Sequence, residues 1–329
     1  MPLTLRLGND DLRRCRFAVS PLCQTHEAVR MLRRSARHGY HRAWLRRAAP
    51  TVAVLDLSPL WLFIPPAGGY TPDFLGPPPK EPYPRFEDEL ARVRATDPAL
   101  AHTEMSRSLA CTPGLADSPQ ARAALDDPAA TVRRLADLTE QAWQALVAPD
   151  WPRHRALLEA DVAHRSRQMA DAGLDALFNG LHPDVDWTDG SLTLPVRGDL
   201  REAQLTDGRG VLLMPSVFVW PDVVSGFARP WQPTVIYPAR GMGGLHTDEV
   251  PRPPEALARL LGRGRAAVLA GLGEPASTTD LAHRHGLAPS TVSAHLSVLR
   301  EAGLLSSRRQ GHQVLYGRTP LGDAVVAGV

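Results

Sequence analysis

The hydrophobic positions of the chain change spacing twice. Leu3, Leu5 and Leu7 alternate with Thr4 and Arg6, which predicts a short opening strand. Helical spacing takes over next and predicts helices over Asp10–Val19 and Pro21–Arg34, broken near Ser20-Pro21, and over Arg37–Ala48. Further helices are predicted over Phe86–Val93, Ala99–Leu109 and Asp127–Ala148, and over a segment opening at Trp151-Pro152 and running to about Phe178. Residues 65–84 interrupt this pattern with a density of Pro and Gly that permits no regular structure, and they read as a stiff surface loop.

From about Asp184 the runs become short and rich in β-formers: Leu192–Leu194, Leu200–Leu205, Val211–Met214, Val217–Trp220 and Thr234–Tyr237. They predict a small antiparallel sheet. Residues 240–254 are again rich in Gly and Pro and mark a boundary. The predicted fold class is therefore α+β. A mostly helical region covers 1–183, a small β-rich region with a linker covers 184–250, and a third domain covers 251–329.

In that third domain the pattern is tightly ordered. A helix over Glu255–Ala270 is closed by Gly271 and Gly273. Ser277-Thr-Thr-Asp280 resembles a capping box for a short helix over Thr278–His285, and Gly286 ends it. Pro289 opens the next helix, where its missing N–H costs nothing. Val292, Leu296 and Leu299 form its buried stripe, while Ser290, Thr291, Ser293, Ala294 and Ser297 lie on the opposite face. Small hydroxyl side chains on an exposed helix allow close approach to DNA and can bond bases or phosphates. Leu304–Arg309 and Gln313–Arg318 predict a hairpin whose Arg308, Arg309, His312 and Arg318 suit backbone phosphates. Leu321–Val326 predicts a short last helix. Together these elements spell a winged helix-turn-helix, with double-stranded DNA as its partner.

Charge adds modest support. The whole chain carries +2, yet the stretch from Pro251 onward holds nine Arg against five acidic residues. A basic end on a slightly acidic body fits nucleic-acid binding. The Arg excess is also compositional, since Lys80 is the single Lys. Three Cys (Cys15, Cys23, Cys111) form no paired framework and suit a reducing cytoplasm. The amino terminus has no secretory h-region, and the most apolar stretch, Leu57–Ile64, is too short to span a membrane. A cytoplasmic location without membrane association is the expectation.

The run from Glu274 to Ala282, the run Gly286-Leu-Ala-Pro-Ser-Thr-Val-Ser-Ala-His-Leu-Ser-Val-Leu-Arg-Glu-Ala-Gly-Leu-Leu, and Arg308-Arg-Gln-Gly-His-Gln-Val-Leu-Tyr316 closely resemble the ArsR family of bacterial regulators. The resemblance covers about 255–326. It implies a homodimeric repressor, less often an activator, that an effector releases or engages. The family's recognition positions map onto Ser290, Thr291, Ser293 and Ala294, and its wing onto Arg308, Arg309 and His312. Many members sense metals through Cys pairs or His/Asp sets; here 251–329 contains no Cys and the last helix offers only Asp323. A non-metal effector, a small molecule or a protein, is expected to act through the amino-terminal region. Phe17-Ala-Val-Ser-Pro-Leu22, Val217-Phe-Val-Trp-Pro221 and Tyr237-Pro-Ala-Arg-Gly241 in that region resemble an accessory region of actinobacterial relatives, of unknown function.

Other candidates read as structural. Asp161/His164 and His26/Glu27 are pairs without a third ligand at metal spacing. Gly241-Met-Gly-Gly244 lacks the Lys-Ser/Thr of a phosphate loop. Trp143, Trp151, Trp187, Trp220 and Trp231 read as core. The sequence holds no nucleophile elbow, metalloprotease motif or dinucleotide fingerprint. No cofactor, metal or catalytic residue is expected. The alternative is an enzyme or effector-binding domain in 1–250 with an appended DNA-binding module.

Overall fold

A computed structural model describes residues 3–33, 41–65, 69–112, 114–195, 204–226, 231–242, 253–273, 275–285, 287–310 and 313–327. The chain divides into two compact units, 1–34 with 47–240, and 35–46 with 241–329. The fold class is α+β, mostly helical with small sheets.

The first unit runs β1 (Leu3–Arg6), α1 (Asn9–Arg13), β2 (Arg16–Phe17) and α2 (Pro21–Leu32). After α3 (Arg42–Val52), which crosses the division, come α4 (Ser58–Phe63), α5 (Phe86–Arg94), α6 (Pro98–Ala110), α7 (Pro119–Asp126), α8 (Pro128–Ala142) and α9 (Trp151–Asn179). The strands β3 (Asp186–Thr188), β4 (Ser191–Leu194), β5 (Gln204–Leu205), β6 (Leu212–Ser216), β7 (Val224–Gly226) and β8 (Thr234–Pro238) follow. The second unit adds α10 (Glu255–Leu261), α11 (Arg263–Ala270), β9 (Ala276–Ser277), α12 (Thr278–His285), α13 (Pro289–Glu301), β10 (Leu305–Gln310), β11 (Gln313–Arg318) and α14 (Pro320–Ala327).

Two sheets organise the first unit, in the orders β3-β4-β1-β5 and β2-β6-β8-β7. Antiparallel pairing joins β3, β4 and β1, and also β7 and β8. The pairs β1/β5, β2/β6 and β6/β8 are parallel. Strands β6 and β8 are buried along their whole lengths. Their alternate residues feed two separate cores. Leu213, Val235 and Tyr237 join Leu3, Leu5, Phe178, Leu192 and Leu194, while Leu212, Met214 and Ile236 join Ala18 and Cys23. Burial on both faces explains why these strands read as continuous apolar runs rather than as alternating ones.

Several expectations change. The helix opening at Trp151 is broken at Gly173, which adopts φ +78°, and the regular α-helix predicted to reach Ala148 ends at Ala142. Helical spacing predicts one helix over residues 10–19, but α1 stops at Arg13 and Arg16–Phe17 enters the sheet beside β6. The long-range parallel partner overrides the local spacing there. Val217–Trp220 is a turn after β6, not a strand. The helix predicted over 255–270 is two helices, because Gly262 adopts φ +81° between α10 and α11. Only Gly takes that conformation without strain.

The Pro-rich loop has a definite role in packing. The Pro82 carbonyl accepts the Val19 N–H at 2.8 Å, and the carbonyls of Pro78 and Pro79 accept guanidinium N–H groups from Arg92 and Arg16. Proline has no N–H to satisfy, so such a loop can spend its carbonyls on side chains.

Candidate nucleic-acid interface

The second unit is built around one apolar core. Leu257, Val268, Leu269, Leu272, Leu281, Val292, Leu296, Leu299, Leu304 and Leu305 fill it, drawn from four helices and the start of β10. The sheet order is β10-β11-β9, antiparallel throughout.

Local chemistry fixes each end of α12 and α13. Asp280 accepts from the Ser277 N–H at 2.9 Å and from the Ser277 hydroxyl, while the Asp280 N–H points back to Ser277 Oγ at 3.3 Å. This is the reciprocal cap expected from the sequence, with Asp in place of Glu or Gln. The Leu287 N–H bonds the Ala282 carbonyl at 2.9 Å and closes the turn beyond α12. Ala288 is extended and offers α13 no side-chain cap, so Pro289 alone opens the helix. At its far end the Leu304 N–H bonds the Leu299 carbonyl at 3.0 Å, and the Gly303 N–H bonds the Arg300 carbonyl at 2.9 Å. That pair is a Schellman motif, with Gly303 at φ +72° and Leu304 packed in the same core as Leu299. Gly303 and Leu304 thus end α13 for a physical reason.

With Val292, Leu296 and Leu299 buried, α13 presents Ser290, Thr291, Ser293 and Ala294 as exposed residues, and Ser297 as half-buried. Val298 joins them without having been expected from the sequence. It is 44% exposed and stacks one turn beyond Ala294 and two beyond Thr291. Its signal was available, since that spacing keeps it on the same face. An apolar side chain there could meet a thymine methyl group. His295 is half-buried, with its ring against the α11 backbone at Gly264. It packs two helices together rather than facing outward with the serines.

The hairpin pairs Leu305 with Arg318, Arg308 with Leu315, Arg309 with Val314 and Gln310 with Gln313. Arg308 and Arg309 are exposed, and adjacent strand residues point to opposite faces. His312 lies outside the described residues. Arg318 departs from expectation. Its Nε lies 2.9 Å from the Asp323 carboxylate on α14, with only 17% of its side chain exposed. It anchors the last helix to the hairpin instead of extending toward phosphates.

Residues 263–308 match the family model of a helix-turn-helix domain. The match spans α11 to the middle of β10, so it contains the capped α12, the turn and α13. Residues 85–243 match a family of unknown function (DUF5937). No curated protein and no solved structure matches the chain. The helix-turn-helix supports DNA binding and regulation of transcription, with α13 in the position of the second helix of that motif. No helix among the described residues is long and apolar enough to cross a membrane.

The amino-terminal candidates fall elsewhere. Asp161 accepts from the Tyr237 hydroxyl at 2.8 Å and the Arg240 N–H at 3.1 Å, and its partner in the predicted pair, His164, has no part in that contact. His26 lies 3.3 Å from the Thr139 hydroxyl, and burial, then Arg30, push its pKa down to about 3. Glu27 pairs with Arg30. Cys15 and Cys23 are free thiols, one half-buried and one buried. The tryptophans are dispersed: Trp143 stacks on Phe86 at 4.6 Å and meets Trp151 edge-on, while Trp187 lies on Phe178 at 4.7 Å.

Proposed function

We propose that the chain is a sequence-specific transcriptional regulator whose second unit is an ArsR-like winged helix. In this reading α13 enters the major groove, and Ser290, Thr291, Ser293, Ala294 and Ser297 approach base edges and nearby phosphates. The β10/β11 hairpin acts as the wing, with Arg308, Arg309 and His312 at the flanking backbone. The observation that carries the reading is the polar, small-residue face of α13, held outward by Val292, Leu296 and Leu299 within a matched helix-turn-helix. About 20 Å of helix and a hairpin of similar length suit one DNA half-site.

The regulator works as a homodimer. Leu260 on α10 is 75% exposed and Leu321 on α14 is 55% exposed, which supports a second copy covering these helices. It acts as a repressor under a non-metal effector received through the amino-terminal region, and it has no catalytic step.

The test begins with selection of bound sequences from random DNA at fixed salt. Arg308→Ala is expected to weaken selected and random duplexes alike and to lower the salt slope by roughly 1 for each phosphate that Arg308 neutralises. Ser290→Ala or Thr291→Ala is expected to change sequence preference instead. Equal losses on selected and random DNA for all three variants refute the assignment. Sedimentation of the free protein decides the dimer.

A further inference from the structure

Two sets of arginines in the first unit differ in what holds them. Arg30, Arg47, Arg85, Arg94, Arg155 and Arg165 each lie within ion-pair distance of a carboxylate. Arg14, Arg16, Arg92 and Arg209 do not, and among the described residues every hydrogen bond they donate goes to a neutral oxygen. Arg16 reaches the side-chain amide oxygen of Gln232 through Nε and Nη2 and the Pro79 backbone carbonyl through Nη2, and its buried Nη1 has no acceptor. Arg209 donates to the carbonyls of Thr206 and Trp231, and Arg14 to that of Gly208. Gln232 closes the set by donating to the Arg209 and Arg14 carbonyls.

Arg14, Arg16, Arg209 and Gln232 line one cleft of about 460 Å³. It lies at the starting ends of parallel strands: Arg16 opens β2, Arg209 precedes β6 and Gln232 precedes β8. At the finishing ends the polar groups satisfy one another. There Gln24 donates to the Pro215 carbonyl and accepts from Ser216 Oγ and the Val217 N–H. The nearby carboxylates are already occupied. Asp11 accepts the N–H groups of Gly8 and Gly210, and Glu89 accepts from Ser20 Oγ and the Leu22 N–H. Burial and the charge of Arg92 hold Arg16 below the usual guanidinium range. Several guanidinium groups are thus gathered, partly desolvated and positioned, with no carboxylate within ion-pair distance of them among the described residues; Asp11 acts on Arg209, and Glu89 on Arg92, only from farther off.

We propose that this cleft binds a small multivalent oxyanion, a phosphate ester or a di- or tricarboxylate, and that this anion is the effector. Guanidinium forks bind carboxylate and phosphate oxygens in pairs, and the volume lies in the range of small-molecule sites. Duplex DNA is the less suited occupant. It can touch exposed Arg14, but Arg16 and Arg209 are half-buried, and a small free anion reaches them more readily than a phosphate fixed in a duplex.

The effector role rests on the DNA-binding reading above; the anion site does not. The test therefore has two stages, both on the full chain. In the first, without DNA, sodium phosphate and sodium citrate are titrated calorimetrically at ionic strength held constant with sodium chloride. Saturable binding of at least one is expected, and which one binds separates the phosphate and carboxylate sources. Arg14→Gln and Arg209→Gln are each expected to weaken it at least tenfold. Arg14 is exposed and its side chain makes one hydrogen bond, so that variant keeps the fold even where Arg209→Gln does not. No saturable binding of either anion, unchanged affinity in Arg14→Gln, or displacement of the anion by a random duplex overturns the site. In the second stage the bound anion is expected to change affinity for selected DNA at least fivefold in the wild type and not in Arg14→Gln. Anion binding without that change overturns the effector role alone. Failure to select any DNA overturns the regulator reading and leaves the first-stage result standing.

Discussion

Replacing Gly264 by Ala tests how α13 is held against α11. A Cβ at that position would lie 2.9 Å from His295 Nε2, 3.5 Å from Cε1 and 3.6 Å from Cδ2. The first distance is too short for carbon against nitrogen, so the ring must move or the helices must part. Ala gains up to about 1 kcal/mol of helix propensity over Gly, and less in the first turn, where Gly264 sits. Overpacking a core contact costs about 1–3 kcal/mol. A His ring can swing about two torsions, which places the cost near the low end. The net for Gly264→Ala is a loss of about 0–2 kcal/mol.

The double variant isolates the contact. With His295→Ala in place the clash disappears while the propensity gain stays, so a coupling of about 1–2 kcal/mol is expected between the two sites. Whole-chain melting would blur this, because two units contribute to it. Hydrogen exchange followed by mass spectrometry reads α13 directly, on peptides covering 289–301. Gly264→Ala is expected to speed exchange there by up to about thirtyfold, and the double variant to exchange no faster than His295→Ala. Additive effects of the two substitutions on α13 exchange refute the packing argument.

Other expectations rest on separate contacts. Gly322→Ala would put a Cβ 2.2 Å from the Leu304 carbonyl oxygen, which is backbone and cannot swing aside; a loss of about 3 kcal/mol is expected, read as faster exchange in β10. Asp280→Ala removes the reciprocal cap of α12 and is expected to cost about 1 kcal/mol by the same assay. Arg318→Ala is expected to destabilise α14 while leaving the salt slope of DNA binding unchanged, unlike Arg308→Ala. Two buried groups set opposing pH dependences in the first unit. His26, pushed down to about 3, contributes stability that is present above pH 6.5 and lost as pH falls toward 3. Glu89, pushed up to about 7 by burial, contributes stability that is full below pH 4.5 and lost as pH rises through 7. Glu89→Gln should therefore raise the melting temperature at pH 7–8 relative to its value at pH 4.5, compared with the wild type; parallel melting curves across that range would contradict this.

The second unit was legible because its determinants are local. The Ser277–Asp280 cap, Pro289 and the Val292-Leu296-Leu299 stripe all act within a few residues of themselves, and each appears where the sequence places it. Gly262 escaped because Gly inside a helical pattern is usually tolerated, and nothing nearby announces that φ will turn positive. Arg318 escaped because its partner, Asp323, lies beyond the hairpin in another element. A tally of charge along the chain does not show which charges the fold will pair.

The same limit operates far more strongly in the first unit. Arg16 sits in a two-residue strand whose sequence has helical spacing, and its neighbour in the sheet lies nearly 200 residues away, at Leu212. Only that parallel pairing brings Arg14 to Gly208 and Arg16 to Gln232, separations of 194 and 216 residues. In a chain so rich in Arg, no single one stands out by its sequence. What distinguishes these arginines is the character of the atoms that hold them: carbonyl and amide oxygens where Arg30, Arg47, Arg85, Arg94 and Arg155 have carboxylates. Neutral oxygens orient a guanidinium without cancelling its charge, so the field survives at the cleft and is available to an anion from solution. Replacing Gln232 by Glu puts that argument to a direct test. The side chain keeps its size and its acceptor for Arg16, loses the two hydrogen bonds it donates to the Arg209 and Arg14 carbonyls, and supplies a charge of its own, so in protein that remains folded phosphate or citrate binding should fall at least tenfold. Anion affinity equal to the wild type in a folded Gln232→Glu protein would show that the uncompensated charge is not what draws the ligand.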